Sequence, residues 1–304
     1  MEIGSKEIKY LLNPESVEKI IHQYTITPMS MLNLFEPQNN NGDKHFAYEY
    51  SKRNYETDLA AGILAEPVEL TEGSEFPQVS FSGIQEEYGN MTKFGFEVEF
   101  TKESAKDPRN FAFFKNCVRD MGMTMMRMIN RFSFYELNAS AGLVDPITLG
   151  DGAWVSGNEA IDDDIVAMKR AMENQENYEG QFSPTDMFIS KTAYDSAEDL
   201  YKVLNANGAF NGVSNGINMN VATELKTGLI AIDRNAHPAI WFYNVDSDDN
   251  KLNDPQVPRS SIVNVHYFED RDDAKLPQTF GYQLYVELGL AVNKEMAVLT
   301  QDGV

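Results

Sequence analysis

The sequence predicts a mixed α+β protein. One apolar stripe runs from Asp107 to Ser140 at helical spacing, and the last part of the chain alternates apolar and polar residues as strands do. By contrast, residues 1 to 45 carry apolar side chains with too little chain around them to form a core. The whole is 304 residues, enough for one large domain or two intimately joined ones. With 42% hydrophobic and 11% aromatic residues it can bury a sizeable core.

The first element is an arm. Pro14 to His22 suits a short helix with Val17, Ile20 and Ile21 on one face, and Pro28, Pro37 and Asn39-Asn40-Asn41-Gly42 punctuate the residues after it. Phe46, Tyr48 and Tyr50 then alternate with Ala47, Glu49 and Ser51 as in a strand. From Lys52 to about 78 the chain is polar, and order returns with Val79 and Phe81. Phe94, Phe96, Val98 and Phe100 alternate with Lys93, Gly95, Glu97 and Glu99, the pattern of a half-buried strand. A long polar stretch between two strand regions predicts a projecting hairpin, a feature that calls for a partner.

The strongest local signal comes next. Asp107 can cap a helix and Pro108 suits its first turn. Phe111, Phe114, Val118, Met121, Met125, Met128, Phe132 and Tyr135 then step by three and four until Gly142 stops the pattern. Such a helix is on the order of 50 Å long. Its stripe suits packing on a sheet, and coiled-coil pairing is a second reading. The methionines from Met121 to Met128 read as adaptable core filler.

Beyond Gly142 the texture is α/β. A helix fits 158 to 174 with Ile161, Ile165, Met168 and Met172 on one side. Pro184 to Ile189 reads as a short buried strand, and Ala193 to Leu204 as a helix. Residues 205 to 220 read as turns, rich in Asn-Gly. Strands are expected over Gly228 to Ile232, Ala239 to Tyr243, Ile262 to Phe268, Thr279 to Val292 and Met296 to Thr300, with an acidic loop over Asp246 to Asp254.

Charge and motifs narrow the function. Lysine and arginine total 25 against 47 acids, a net charge of −22. Nucleic-acid affinity rests on cations that release counterions, so this chain is not expected to grip DNA or an anionic membrane. Acidity on this scale equally serves simple solubility. The single cysteine, Cys117, excludes an intrachain disulfide and reads as a buried thiol. No apolar run approaches the roughly 20 residues of a membrane span.

Gly212-Val213-Ser214-Asn215-Gly216 matches the nucleophile-elbow pattern, with His237 and His266 downstream. That motif needs a serine between a strand and a helix, whereas the residues before it are polar turn formers. Asp246, Asp248 and Asn250 begin like a calcium loop, but Lys251 and Val257 stand where glycine and glutamate belong. The four histidines lack metal-site spacing. No cofactor and no catalytic residue are expected.

The order of parts resembles the Hong Kong 97 phage capsid fold of tailed-phage major capsid proteins and bacterial encapsulins. Three segments carry it: Phe94 to Ser104 (FGFEVEFTKES), a strand running into a short helix just before the long one; Ser183 to Tyr194 (SPTDMFISKTAY); and Ser261 to Val292, a strand, acidic turn and strand. The resemblance implies an N-terminal arm at 1–45, an extended loop with its flanking strands at 46–93, and a peripheral domain at 94–145 and 257–290 holding the spine helix at about 108–140. An axial α/β domain takes 146–256 and 291–304. It implies a shell protein that makes pentamers and hexamers around double-stranded DNA, resident in the virion and in the host cytoplasm before assembly. Its partners would be many copies of itself, a separate scaffolding protein, a portal and decoration proteins. The type phage carries a helical scaffolding segment ahead of the arm, and nothing in this sequence corresponds to it; the expectation is a separate scaffolding protein, favoured by Met1, with a cleaved precursor as the alternative.

Interface contacts are expected at Phe35 in the arm and at Lys52, Arg53, Tyr55, Leu59, Ile63, Leu64, Val68 and Leu70 in the loop. Some family members join a loop lysine to a neighbour's asparagine. Lys52, the sole lysine between 45 and 92, lies at the loop base and reads as a solvated charge. The same fold in an encapsulin-type nanocompartment, and a serine hydrolase using Ser214, are the alternatives.

Overall fold

A computed structural model describes residues 17, 20, 34–51, 84–101, 111–140, 144, 146–150, 154, 161–174, 182–196, 213–214, 216–244, 262–269, 279–294 and 297–302. The chain forms β1 (Glu36–Asn39), β2 (His45–Ser51), β3 (Ile84–Asn90), β4 (Thr92–Thr101) and the long helix α1 (Phe111–Ser140). After α2 (Ile161–Glu173) come β5 (Asp186–Ser190), α3 (Lys191–Ser196), β6 (Val213–Ser214), β7 (Ile217–Ala222), β8 (Leu229–Ile232) and β9 (Ala239–Asn244). The last strands are β10 (Asn264–Glu269), β11 (Thr279–Val292) and β12 (Val298–Gln301).

The first sheet is built on the fourteen-residue β11, which alternates from Tyr282 to Leu288 as the sequence predicts and is buried throughout from Leu288 to Val292. Leu284 pairs with both Val265 and Phe96, and Glu287 with both Asn244 and Lys93. A strand has two edges, so β4 occupies one, while β10 and β9 lie end to end along the other. The chain leaves that edge at Asn244, opposite Glu287, and rejoins it at Asn264, opposite Tyr285. Beyond β9, β1 adds a parallel strand.

One face of this sheet meets the front half of α1. Tyr282, Leu284, Val286 and Leu288 are buried there with Phe114, Val118, Met121 and Met125. Phe100 on β4 meets Phe114 edge-on at 5.0 Å between ring centroids. The stripe is therefore used within the chain, against a sheet, rather than in a coiled coil.

The second sheet runs β12-β8-β5-β7-β6. Phe188, Ile230 and Ile232 face the α1 core, while Met187, Ile189, Leu229 and Ala231 face α2, where Ile161, Ile165, Met168 and Met172 are buried beside Trp154. Helices cover both faces, so every residue of β5 and β8 is buried.

Several expectations need correction. The helical stripe drifts: beyond Met128 the buried apolar side chains of α1 are Ile129, Phe134 and Leu137, Met128 and Phe132 are half-buried, and Tyr135 is 70% exposed. A straight helix repeats every 3.6 residues, so a 3.5-residue stripe turns about 20° per heptad away from its target. Residues 205 to 220 are not all turn, because Ile217–Ala222 is a strand paired in parallel with β5. Asparagines at the outward positions 218 and 220 hide its alternation. The strand Ala239–Asn244, expected in the axial unit, pairs with β11 in the first sheet. The expected helix Ala193 to Leu204 is described only over Lys191–Ser196, and Asp107 and Pro108 lie outside the described residues.

Candidate assembly surface

Strands β2 and β3 form a two-stranded antiparallel ribbon, with His45 opposite Asn90 at the root and Ser51 opposite Ile84 at the far end. It belongs to neither large sheet. The polar stretch after Lys52 follows its far end; the second strand falls on Ile84–Asn90, where the sequence pattern marks none, while Val79 and Phe81 lie outside the described residues. Lys52, Arg53, Tyr55, Leu59, Ile63, Leu64, Val68 and Leu70 lie in that stretch, outside the described residues.

Two devices fix the root. The first is polar. Asn41 and Gly42 both have positive φ, 56° and 87°, and the Asp43 N–H donates to the Asn40 carbonyl at 3.1 Å, the tight turn that reverses the chain between β1 and β2. Buried Asn244 grips this turn. Its side-chain oxygen accepts from the Gly42 N–H at 3.0 Å, and its amide donates to the Asp43 carbonyl at 2.9 Å and to the Glu287 carboxylate at 3.0 Å. The second is aromatic. Phe46 is buried and stacks on Phe242 with ring centroids 4.3 Å apart and planes 16° from parallel. A Cβ at Gly89 or at Gly289 would overlap the Phe46 ring, so two glycines form the slot that holds it.

Away from the root the ribbon is exposed and acidic. Glu49 stands directly opposite Glu86 in the pairing, and Tyr88 is 71% exposed. A hydrogen bond from the Tyr88 phenol to the Glu86 carboxylate, together with that charge, raises the phenol above its ordinary range. On the other side of the ribbon, the Tyr48 hydroxyl donates to Glu87 at 3.1 Å.

On the face of the first sheet away from α1, Lys93 pairs with Glu287 at 3.2 Å and lies 3.8 Å from the centre of the Tyr285 ring, which His266 stacks on at 5.4 Å. Along α1 a groove of about 610 Å³ is lined by Phe94, Met128, Arg131, Phe132, Tyr135 and Leu225. The groove is why Met128 and Phe132 are only half-buried.

Phe35, expected at a subunit interface, is 5% exposed and sits in its own chain's main core with Val17. The rear of the arm docks on its own body because β1 fills an open edge of β9 and carries Phe35 inward. Sequence reasoning missed Asn244 and the glycine slot. Isolated glycines in strand patterns, such as Gly89 and Gly289, are the signal that could have found the slot.

The enzymatic alternative fails on geometry. Ser214 ends a two-residue strand and opposes Ile217 across a hairpin whose Gly216 has φ of 83°. A nucleophile elbow requires a helix there. His266 belongs to the first sheet, and His237 caps a short 3₁₀ turn with φ of 49°. Among the described residues, no group of three or more His, Cys, Asp or Glu side chains could hold a metal ion, and no helix is long and apolar enough to cross a membrane. The calcium-like stretch from Asp246 lies outside the described residues.

Comparison with solved structures finds the same fold in a virus-like particle and in phage proteins. A virus-like particle from Pyrococcus furiosus matches with a TM-score of 0.57 at 10% identity, covering 95% of this chain and 98% of that one. The capsid of cyanophage P-SCSP1u matches at 0.54 and 10% identity over 89% and 86% of the two chains. Microbacterium phage Oxtober96 matches at 0.52 and 11% identity over 90% of each. A search of the curated proteins finds no match. A family model described as phage capsid protein matches residues 86–301, from the outer half of β3 to the end of β12. The chain belongs to the phage capsid protein family, and it is a structural protein of the virion shell rather than an enzyme.

Proposed function

We propose that this chain is the major capsid protein of a tailed phage, forming the pentamers and hexamers of an icosahedral shell around double-stranded DNA. The observation that carries this reading is the family match across 86–301 on a chain that holds out a two-stranded ribbon from a firmly anchored root. A two-stranded ribbon buries too little to stabilise itself, and packing on neighbouring copies would supply what is missing. Repeated heterologous contacts of that kind close into a shell. The net charge of −22 suits an inner wall that repels its DNA.

Residues 52–78 and the front of the arm would make the contacts between copies. A scaffolding protein, a portal and decoration proteins would be the remaining partners, and the chain would wait in the host cytoplasm before assembly. The match to a phage capsid family favours a genome container over a cargo-holding nanocompartment.

The test is negative-stain microscopy of the protein expressed alone and with its genomic neighbours. Uniform shells tens of nanometres across, filled by DNA when a portal and packaging motor are supplied, are expected. Particles that instead retain one enzyme as cargo would overturn the phage reading.

A further inference from the structure

The ribbon root offers an inference about when the ribbon acquires its direction. Phe46 lies one residue into β2, at the point where the ribbon leaves the body. Its ring is held on three sides by different elements: Gly89 across the ribbon, Gly289 on β11, and Phe242 on β9. Tyr48, Met91 and Ile240 pack around the same small cluster, which is separate from the two main cores. Two residues along β9 from Phe242, Asn244 holds the turn that leads into β2, and the Met91 N–H closes the ribbon on the Lys44 carbonyl at 2.9 Å. A ribbon fixed at one point could swing about it; here both the turn that enters it and the start of its own first strand are held, by Asn244 and by the Phe46 slot, and it cannot.

We propose that Phe46 is a positioning residue for assembly: the two-glycine slot sets the angle of the ribbon within the isolated subunit, before any neighbour is met. This rests on the reading of the chain as a shell protein and adds to it the step at which order is acquired. A loop presented at a fixed angle loses less conformational freedom when it docks, so the slot lowers the subunit concentration at which shells form. The glycines are part of the device, because any side chain at position 89 or 289 would enter the space of the ring.

The experiment compares wild type, Phe46→Ala, Gly289→Ala and the pair Gly289→Ala with Phe46→Leu. Ile165→Val, which loosens the separate core around α2, serves as a control for general destabilisation. Hydrogen exchange is read at the β2 and β3 amides of dissociated subunits, and the threshold concentration for shells by light scattering. Phe46→Ala and Gly289→Ala are expected to speed exchange in the ribbon while leaving α2 and β5 protected. Both should raise the threshold about tenfold, and the smaller leucine side chain of the double variant should recover part of that loss. Ile165→Val should leave the threshold near wild type.

Equal ribbon exchange in wild type and Phe46→Ala subunits overturns the proposal, as does an equal threshold rise in Ile165→Val. If wild type makes no shells under any condition, the assembly reading fails, and the exchange comparison still decides whether Phe46 fixes the ribbon.

Discussion

Phe134 on α1 meets Phe188 on β5 edge-on, with ring centroids 5.7 Å apart and planes at 66°. Phe114, twenty residues earlier on the same helix, makes the equivalent contact with Phe100 of the first sheet. One helix thus joins two sheets through an aromatic pair near each end. Phe134→Ala should cost about 3–5 kcal/mol, measured by denaturant unfolding of the dissociated subunit. The loss should fall on the second sheet first, visible as faster hydrogen exchange in β5 and β8 than in β11.

Buried Asp164 accepts from the Trp154 indole at 2.9 Å and from the Gly150 N–H at 2.9 Å. Asp164→Ala leaves both donors without this partner inside the protein. A loss of about 1–3 kcal/mol per orphaned group is expected from the same unfolding measurement, along with a change in Trp154 fluorescence.

Gly95 lies so close to β11 that a Cβ there would overlap the Leu284 carbonyl and crowd Tyr285. Gly95→Ala should push the two strands apart at a cost of about 1–3 kcal/mol. Gly42→Ala would be strained for a different reason, its φ of 87°, although nothing stands near its Cβ position.

Burial raises the Glu136 carboxyl above its ordinary range. The folded chain therefore holds that proton more tightly than the unfolded chain does. Its stability falls as pH rises through the interval from the unfolded to the folded value, and the penalty persists at neutral pH. Glu136→Gln should remove it, with a gain within about 0.5 kcal/mol near pH 7 and none in acid below the ordinary carboxylate range.

Ser214→Ala should leave shell yield and particle shape unchanged, and neither protein should hydrolyse a model ester. Ester hydrolysis that disappears with the serine would contradict the hairpin geometry at Ser214 and Ile217.

What could be read from the residues was whatever had a local period. Tyr282, Leu284, Val286, Leu288 and Leu290 alternate along the stretch Thr279 to Val292, which is a strand over those very limits. Ile161, Ile165, Met168 and Met172 mark one face of α2, and all four are buried. The existence of α1 was equally plain, but its phase was not, because a single position separates half-buried Met128 from fully buried Ile129. The ribbon root was hidden for another reason. Gly42 and Asn244 are 202 positions apart, and Phe46 meets Gly289 only after the sheet has formed. Relationships of that span leave no periodic trace. Phe35 misled because an apolar residue in a core-poor arm looks available to a neighbour, whereas pairing of β1 with β9 draws it inside.

The end-to-end arrangement of β9 and β10 along β11 has an evolutionary side. The path departs opposite Glu287 and resumes opposite Tyr285, so the intervening stretch begins and finishes within two register positions. Loop closure grows only slowly with length. Residues 245–261 could be shortened or extended without moving a rung of the ladder, whereas Ile262 and Val263, buried in the main core, could not. Descendants of this chain thus have a place to vary in length and chemistry while the pairing of β9, β10 and β11 stays constant.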